Sequence, residues 1–236
     1  MDNKTHEHIL LVEDEENISN SLKIILEAEG FTVSVCATGA CGISRFQQAD
    51  LLVLDLMLPD MSGLEVLNRI RKESSTYPVL IVSAKNTEQD LVTGLISGAD
   101  DYITKPFSVQ ELILRIRRTL ERKRNYERLA KDPLALKEYS FGKNNVINFE
   151  TLQAKTNHGI IQLTRQESDI LLFLINKKST IVSRGELIKH IWGHHHDYES
   201  RTVDNFIVRF RKYFEENPKW PKHFVTKRGI GYIFSE

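Results

Sequence analysis

The sequence lacks long apolar runs and has very little cysteine. No apolar stretch approaches the ~20 residues that a membrane-spanning helix needs, so we expect no membrane partner. The apolar run near the start is too short for a secretory signal, and we therefore expect a cytoplasmic protein. The chain has two cysteines, Cys36 and Cys41. Such a pair in a cytosolic chain is typical of reduced core thiols, which we expect here in place of a disulfide or a metal site.

The chain also lacks a net charge, since 32 basic residues balance 32 acidic ones, but the two halves differ. Residues 1–121 contain 11 Lys or Arg and 19 Asp or Glu, which gives −8. Residues 122–236 contain 21 and 13, which gives +8. An acidic half joined to a basic half indicates that only the second half meets a polyanion.

The length of 236 residues is comfortable for two domains. The first half alternates five short β runs with five amphipathic helices, which predicts a doubly wound α/β fold of the flavodoxin type with a five-stranded parallel sheet. The second half has short alternating segments, three helices and a final hairpin, which indicates an α+β domain. We predict a first domain at 1–124, a charge-rich linker at 125–137 and a second domain at 138–236.

Four short motifs mark predicted helix starts. They have the S/T-x-x-E pattern of the capping box and lie at 62–65, 108–111, 164–167 and 183–186. Each falls where the apolar spacing already predicts that a helix begins.

Polar side chains follow the predicted strands of the first half. They are Glu13, Asp14, Asp55, Ser83 and Lys105. Because the carboxyl ends of parallel strands meet at one edge of the sheet, we expect these side chains to form a single site. Lys105 precedes Pro106, and a cis peptide between them would aim the ammonium group inward.

Carboxylates beside a lone lysine and a hydroxyl are suited to phosphoryl transfer with Mg²⁺. In this interpretation Asp14 and Asp55 bind the ion, and Glu13 binds it directly or through water. Asp55 also attacks phosphorus as a carboxylate nucleophile. Lys105 and the Ser83 hydroxyl then stabilise the phosphoryl oxygens.

A phosphatase of the haloacid dehalogenase type is an alternative, because it also uses a strand-end aspartate as nucleophile. Such enzymes place a second aspartate two positions later as the general acid. Met57 occupies that position here, so the alternative lacks its acid.

Four motifs of the first half resemble the receiver domain of the OmpR/PhoB family of bacterial two-component response regulators. They read L-L-V-E-D-E-E, L-V-L-D-L-M-L-P-D-M-S-G, I-V-S-A-K and G-A-D-D-Y-I-T-K-P-F. The resemblance implies that Asp55 accepts a phosphoryl group from a sensor histidine kinase, and that Ser83 and Lys105 sense it. It implies metal binding by Glu13, Asp14, Asp55 and the Met57 carbonyl. Tyr102 matches the aromatic residue that swings inward on activation. A phosphoacceptor of this kind is not an enzyme, although slow autodephosphorylation is expected.

One helix of the second half is apolar on one side and basic on the other. Its apolar stripe consists of Val203, Phe206, Ile207, Phe210 and Phe214. The opposite face presents Arg201, Asn205, Val208, Arg209 and Lys212. A helix with Arg, Asn and Lys on its free face is suited to the major groove of double-stranded DNA.

The second half also resembles the winged-helix effector domain of the same family, through L-T-R-Q-E-S-D-I-L-L, R-T-V-D-N-F-I-V-R-F-R-K and V-T-K-R-G-I-G-Y. The resemblance implies a recognition helix at Thr202–Phe214, with Thr202 among its DNA-binding residues. It places Arg228 of the wing in a minor groove or on a phosphate, and Thr226 and Tyr232 near the sugar–phosphate backbone. Relatives often carry a polar or basic residue at the position of Val208, so we expect Val208 to contact a thymine methyl or to leave that base pair unread.

Three consecutive histidines, His194, His195 and His196, invite a metal-site interpretation. Consecutive residues in a loop do not easily converge on one ion, so we predict a surface loop. In relatives this segment faces RNA polymerase.

The resemblance further implies that phosphorylated receivers form a homodimer through the fourth helix, fifth strand and fifth helix. The charged residues that match this face are Asp100, Asp101, Glu111 and Arg115. Relatives place basic residues at the positions of Leu91 and Thr93, so we expect Glu111 to lack its usual partner and Leu91 to supply an apolar contact. The predicted function is a phosphorylation-switched transcription regulator. The alternative is a constitutive DNA-binding protein whose receiver is only a docking module.

Overall fold

The computed structural model describes residues 7–132, 136–193 and 200–236. The chain divides after Tyr126 into two compact units. Within the first unit, apolar runs without polar interruptions become strands that are buried on both faces, and amphipathic segments become the covering helices. All four residues of the third strand, Leu51–Leu54, are completely buried.

The first unit alternates five strands with five helices. They are β1 (His8–Val12), α1 (Glu16–Ala28), β2 (Thr32–Cys36), α2 (Gly39–Arg45), β3 (Leu51–Leu54), α3 (Gly63–Glu73), β4 (Val79–Ser83), α4 (Glu88–Ile96), β5 (Asp101–Thr104) and α5 (Val109–Lys131). The strands form one parallel sheet in the order β2-β1-β3-β4-β5. Because the chain winds in opposite directions on the two sides of β1, a crevice opens between the ends of β1 and β3. The predicted doubly wound fold is confirmed.

The second unit has two antiparallel sheets around three helices. Its elements are β6 (Glu138–Phe141), β7 (Asn145–Asn148), β8 (Gln153–Thr156), β9 (Gly159–Gln162), α6 (Arg165–Asn176), β10 (Val182–Ser183), α7 (Arg184–Trp192), α8 (Ser200–Phe214), β11 (Phe224–Lys227) and β12 (Gly231–Phe234). The sheets have the orders β6-β7-β8-β9 and β10-β12-β11. The helices followed by the β11–β12 hairpin form a winged helix, which confirms the predicted α+β class.

The core of the second unit is built on the apolar stripe of α8. The five residues of that stripe are at most 2% exposed. Phe210 and Phe214 stack near Phe224 of the wing, with ring centroids 5.6 and 5.9 Å apart. Burial of these large aromatic faces fixes the rotation of α8, so that its opposite face is left on the surface.

Helix α5 continues to Lys131 and therefore includes the first part of 125–137, the segment that the sequence predicts as a linker. Its 23 residues contain many charges.

Within the described ranges, no helix combines the length and the apolar composition that crossing a bilayer would need.

The expectation of two reduced cysteines is wrong for this structure, because Cys36 and Cys41 form a disulfide. Cys36 ends β2, and α2 begins at Gly39, so the chain turns back and brings the two Cα atoms to 5.6 Å. That separation lies within the usual range for disulfides. Spacing along the chain alone did not reveal how tightly this loop turns.

Candidate functional site

The carboxyl ends of β1, β3, β4 and β5 bring four of the predicted side chains together. The ammonium group of Lys105 donates hydrogen bonds to Asp55 Oδ2 at 2.6 Å and to Glu13 Oε2 at 2.7 Å. Glu13 and Asp55 are 2% and 5% exposed, and Ser83 is completely buried. Buried charges of this kind are stable only when they are paired, and here one cation lies between two anions.

The backbone aims Lys105 at this cluster. The peptide between Lys105 and Pro106 is cis, as the sequence predicts. The Lys105 N–H donates to the Ser83 carbonyl at 2.8 Å, which ties the turn after β5 to the end of β4.

Burial shifts the ionisation of both partners of the ion pair. Burial raises the pKa of Glu13 above its usual range, although the hydrogen bond from Lys105 opposes this shift. Burial alone would lower the pKa of Lys105, but its hydrogen bonds to Asp55 and Glu13 outweigh burial and raise that pKa. Lys105 therefore stays charged at neutral pH.

The loop after β3 closes over Asp55. The Met57 N–H donates to Asp55 Oδ1 at 2.9 Å, which leaves the other oxygen facing Lys105. A Cβ atom on Gly63 would lie 2.2 Å from the Asp55 carbonyl oxygen, so only glycine lets α3 begin this close to the strand end.

The predicted Mg²⁺ ligands are only partly assembled. Lys105 bridges Glu13 and Asp55, Asp14 is exposed, and the described residues contain no group of three or more His, Cys, Asp or Glu side chains that could hold a metal. Glu13 Oε1 is nevertheless buried, without a hydrogen-bond partner in the described part of the chain. An unmatched carboxylate oxygen beside a second carboxylate fits a hard cation such as Mg²⁺.

Tyr102 lies inward in this structure. It is 1% exposed, and its hydroxyl donates to the Lys85 carbonyl at 2.7 Å. Burial raises its pKa to about 12. A Cβ atom on Gly94 would lie 2.9 Å from the Tyr102 ring, so a glycine in α4 provides the space that the ring occupies.

Within one chain, Arg115 of the same helix binds Glu111. Arg115 Nη2 is 2.7 Å from Glu111 Oε1, and Nη1 is 2.7 Å from Asp101 Oδ1. Glu111 and Arg115 are one helical turn apart, and this i,i+4 spacing allows the contact. Arg115 is only 2% exposed.

Two further residues of the predicted dimer face are also buried. Leu91 is 8% exposed, because it belongs to the side of α4 that packs on the sheet, so it does not offer the expected apolar contact at the surface. Asp100 accepts a hydrogen bond from the Val79 N–H at 2.8 Å and forms an ion pair with Arg71 at 3.1 Å.

The free face of α8 carries four of the predicted DNA-binding residues in one row. They are Arg201, Asn205, Val208 and Lys212, all exposed. The other two predicted DNA-binding residues of α8 do not belong to this row. Thr202 is completely buried, and Arg209 is half-buried and donates to Glu167 Oε1 at 3.1 Å.

Of the three residues predicted on the wing, one is exposed and the other two make contacts within the domain. Arg228 is exposed in the turn between β11 and β12. Thr226 accepts a hydrogen bond from Arg211 at 2.7 Å. Tyr232 is 4% exposed, and its hydroxyl donates to Asp204 at 2.5 Å and accepts from Arg184 at 3.1 Å, so it braces the domain from within.

Arg184 and Asp204 are not among the predicted site residues, but their contacts tie together the elements that carry the DNA-binding face. Their ion pair, at 2.6 Å, links the start of α7 to α8, and Tyr232 adds β12. No spacing rule connects residues on three separate elements, so the sequence contains no signal for this contact. The histidines His194, His195 and His196 lie outside the described residues.

Two family models match the chain. The model described as "Response regulator receiver domain" matches residues 9–117, and "Transcriptional regulatory protein, C terminal" matches residues 157–234.

Two curated relatives are similar over nearly their whole length. The sensory transduction protein RegX3 of Mycolicibacterium smegmatis is 38% identical over 226 residues, which cover 95% of this chain and 97% of the relative. The response regulator ArlR of Staphylococcus aureus is 35% identical, and the match covers 95% of this chain and 98% of the relative.

Solved structures are also similar to this chain. The response regulator DrrB of Thermotoga maritima, an OmpR/PhoB homologue, is 29% identical with a TM-score of 0.50, covering 98% of this chain and all of that one. A RitR variant with a TM-score of 0.76 covers 98% of this chain and 99% of that one; at 24% identity it shows the fold alone. The receiver sheet, the winged helix and these relatives together show that the chain belongs to the OmpR/PhoB family of two-component response regulators, which are phosphorylation-regulated transcription regulators and not enzymes.

Proposed function

We propose that Asp55 is the phosphoacceptor and that a sensor histidine kinase is its phosphoryl donor. The observation that carries this proposal is the buried Asp55 carboxylate with the Lys105 ammonium 2.6 Å away. A carboxylate oxygen of Asp55 forms the new bond to phosphorus as the bond between phosphorus and the kinase imidazole breaks. Lys105 then offers its charge to the phosphoryl oxygens, and the Ser83 hydroxyl donates to one of them.

The unmatched Glu13 oxygen fits a role in Mg²⁺ binding. Glu13, Asp14 and Asp55 would hold the ion together with the Met57 carbonyl. When bound, Mg²⁺ offsets the negative charge that accumulates on the phosphoryl oxygens. The carboxylates of this chain would fix its position. We propose slow autodephosphorylation, in which water that enters past the exposed Asp14 attacks phosphorus as the bond to the Asp55 oxygen breaks, and inorganic phosphate is released.

The added charge acts through the receiver on the effector. The phosphoryl group carries about −1.5 to −2 charge in place of the −1 of the Asp55 carboxylate, and this more negative group draws the Lys105 ammonium away from Glu13. The inward Tyr102 and the β4–α4 turn that it contacts would transmit this change to α4, β5 and α5. We propose that the altered face pairs two receivers of 1–124, joined through 125–137 to effectors of 138–236, in the cytoplasm.

The effector reads double-stranded DNA with the exposed row of α8 and the wing. Arg201, Asn205 and Lys212 are exposed donors suited to base edges and phosphates, and Arg228 reaches a minor groove or phosphate. Arg209, Thr202, Thr226 and Tyr232 support this surface from beneath. RNA polymerase is the proposed partner once DNA is bound.

The test is the intact mass of the protein after incubation with acetyl phosphate and Mg²⁺, with Asp55→Ala as the control. We expect one phosphoryl group on the wild type and none on the variant. A wild type that acquires no phosphoryl group from acetyl phosphate or from purified candidate kinases would instead identify the receiver as a docking module of a constitutive regulator.

A further inference from the structure

The disulfide between Cys36 and Cys41 lies beside the proposed phosphorylation site. Cys36 ends β2, next to β1, and its carbonyl accepts a hydrogen bond from the Glu13 N–H at 3.0 Å. Cys41 lies in the first turn of α2, where its N–H donates to Thr38, the residue that caps this helix. The disulfide therefore closes a short loop, residues 36–41, that touches an acidic residue of the site directly.

The same loop is also bound to the segment that follows Asp55. Asp60 accepts hydrogen bonds from the N–H groups of Gly39 at 2.8 Å and Ala40 at 2.9 Å, both within the loop. These bonds lower the pKa of Asp60, so it remains an anion that holds the loop. Asp60 and Met57 belong to one connection between β3 and α3.

The start of α2 packs closely against residues next to Glu13 and Asp60. A Cβ atom on Gly39 would lie 2.6 Å from Met61, and one on Gly42 would lie 2.8 Å from Val12, the residue before Glu13. A shift of α2 therefore displaces a neighbour of Glu13 or a neighbour of Asp60.

We propose that Cys36 and Cys41 form a reversible thiol–disulfide couple whose opening slows phosphorylation of Asp55. This inference rests on the proposed phosphoacceptor role of Asp55. Disulfides of cytosolic proteins are typically transient or regulatory. This one restrains a loop beside the proposed phosphorylation site rather than the hydrophobic core. Opening it removes the covalent restraint on α2 and weakens the contacts to Glu13 and Asp60.

The exchange uses a dithiol reductant of the thioredoxin class. A thiolate of the reductant attacks Sγ of Cys41, which is half-buried, whereas Cys36 is 2% exposed. The bond between the two Sγ atoms breaks, and Cys36 leaves as a thiolate and takes up a proton. The second thiol of the reductant resolves the mixed disulfide and releases Cys41, so two electrons pass from the reductant to the protein. A disulfide oxidant such as oxidised glutathione reverses the exchange.

The first measurement is thiol content of the full chain, by alkylation with iodoacetamide and intact mass. We expect no adduct after oxidation and two adducts after treatment with dithiothreitol. Two adducts under both conditions would overturn the couple.

The second measurement is the rate at which each form gains a phosphoryl group from acetyl phosphate and Mg²⁺. We expect reduction to slow the wild type about fivefold, the effect of losing one hydrogen bond that positions the site. Cys41→Ser, which keeps the buried Cys36, should react at the reduced rate with or without dithiothreitol. Equal rates for both forms of the wild type would overturn the control of phosphorylation.

Amide hydrogen exchange separates this inference from the proposed function. We expect Gly39 and Ala40 to exchange faster in the reduced protein, because their bonds to Asp60 loosen. If neither form gains a phosphoryl group, the proposed function fails, and unchanged exchange at these two amides would then reject the effect of the disulfide on the loop independently.

Discussion

Arg115 carries a full charge although it is 2% exposed, because Asp101 and Glu111 surround its guanidinium. Asp101 is itself buried, so removal of Arg115 would leave a buried carboxylate that has lost this cation. The contribution of such a residue is seen most clearly when one partner is deleted and the other stays buried.

We expect Arg115→Ala to lower the free energy of unfolding of the receiver by about 3–5 kcal/mol, because Asp101 loses its buried partner. Arg117→Ala on the same helix is the matched control. Arg117 pairs with Glu29 at the surface, and its side chain is 54% exposed. Its loss should cost about 0–1 kcal/mol.

The measurement is urea unfolding of the full chain, followed by both circular dichroism and tryptophan fluorescence. Both tryptophans, Trp192 and Trp220, lie in the effector, so fluorescence reports that unit alone. The receiver transition is the one that circular dichroism detects and fluorescence does not. Equal losses for the two arginine variants would contradict the assignment of Arg115 as a buried structural charge.

Val208 is the second residue that invites a substitution, because it is an apolar side chain, 48% exposed, in the middle of the polar row of α8. We expect Val208→Arg to change the sequence preference at one or two adjacent base pairs, since arginine favours guanine in the major groove. Selection from a random DNA library, with wild type and variant compared, measures this preference.

Lys212→Ala provides the control for Val208→Arg, because Lys212 lies at the end of the same row. A phosphate contact carries no sequence information, so its loss should weaken binding to all sequences and reduce the salt slope by about 1. An unchanged preference in Val208→Arg would show that this position lies away from the bases.

At the scale of elements, α5 is fastened to the amino-terminal edge of the sheet by Asp50. Asp50 accepts hydrogen bonds from Lys123 of α5 at 2.7 Å and from the His8 N–H of β1 at 3.0 Å. Burial alone would raise the pKa of Asp50, but these bonds outweigh it and lower that pKa. A carboxyl with a lowered pKa stabilises the fold above its unfolded-state pKa and loses this contribution as the pH falls.

We therefore expect Asp50→Asn to destabilise the receiver at neutral pH, with a difference from wild type that shrinks as the pH falls below about 4. Urea unfolding at several pH values measures the difference. Lys123→Ala removes the main donor and should by itself reduce the pH dependence of stability. A wild-type advantage that stays constant across this pH range would contradict the role of the Asp50 charge.

The order and type of the elements could be predicted almost completely, because each buried strand is a short apolar run between turn residues. The alternation of five strands with five helices that the first half predicts is present as β1–β5 and α1–α5. The two-residue strand β10 was missed, since Val182–Ser183 is too short to show alternation. It pairs with β12 at a position where a Cβ atom on residue 231 would lie 2.0 Å from the Val182 carbonyl oxygen, so this close approach requires Gly231.

The capping motifs show where sequence patterns fail. Only the 164–167 motif forms the reciprocal capping box, with Glu167 accepting from the Thr164 N–H. In the other three the glutamate binds a cation instead: Arg69 for Glu65, Arg115 for Glu111 and Lys177 for Glu186. Arg69 and Arg115 compete locally, from i,i+4 positions on the same helix, whereas Lys177 follows the end of α6, so no pattern within 183–186 reveals its contact.

The site could be predicted where it depends on strand ends and not where it depends on packing between elements. Glu13, Asp55 and Lys105 converge because parallel strands end at one edge. The buried state of Leu91 and Tyr232, by contrast, depends on how helices and wing rotate against their sheets. The disulfide depends on a turn whose tightness no spacing rule gives.

At the scale of the whole molecule, phosphorylation and DNA binding are assigned to halves of opposite net charge. The half with the proposed phosphoacceptor carries −8 and the half with the proposed recognition helix carries +8, so DNA is expected to attract only the second half. A phosphoryl group adds negative charge to the half that does not bind DNA. Phosphorylation is therefore expected to act on DNA binding through assembly of two chains and not through direct attraction to DNA.

This expectation leads to a prediction about DNA that carries one or two half-sites. The half-site sequence is the one that the wild type selects from the random DNA library. Pairing of receivers makes binding of the second effector intramolecular, so phosphorylation should raise affinity for two adjacent half-sites on the order of 10²-fold. Affinity for a single half-site should change little, because one effector gains no partner. Fluorescence anisotropy with acetyl phosphate present or absent measures both, and Asp55→Ala should show no gain on either DNA. An equal gain on one and two half-sites would mean that phosphorylation changes each effector by itself, and pairing would then not be the link between Asp55 and DNA.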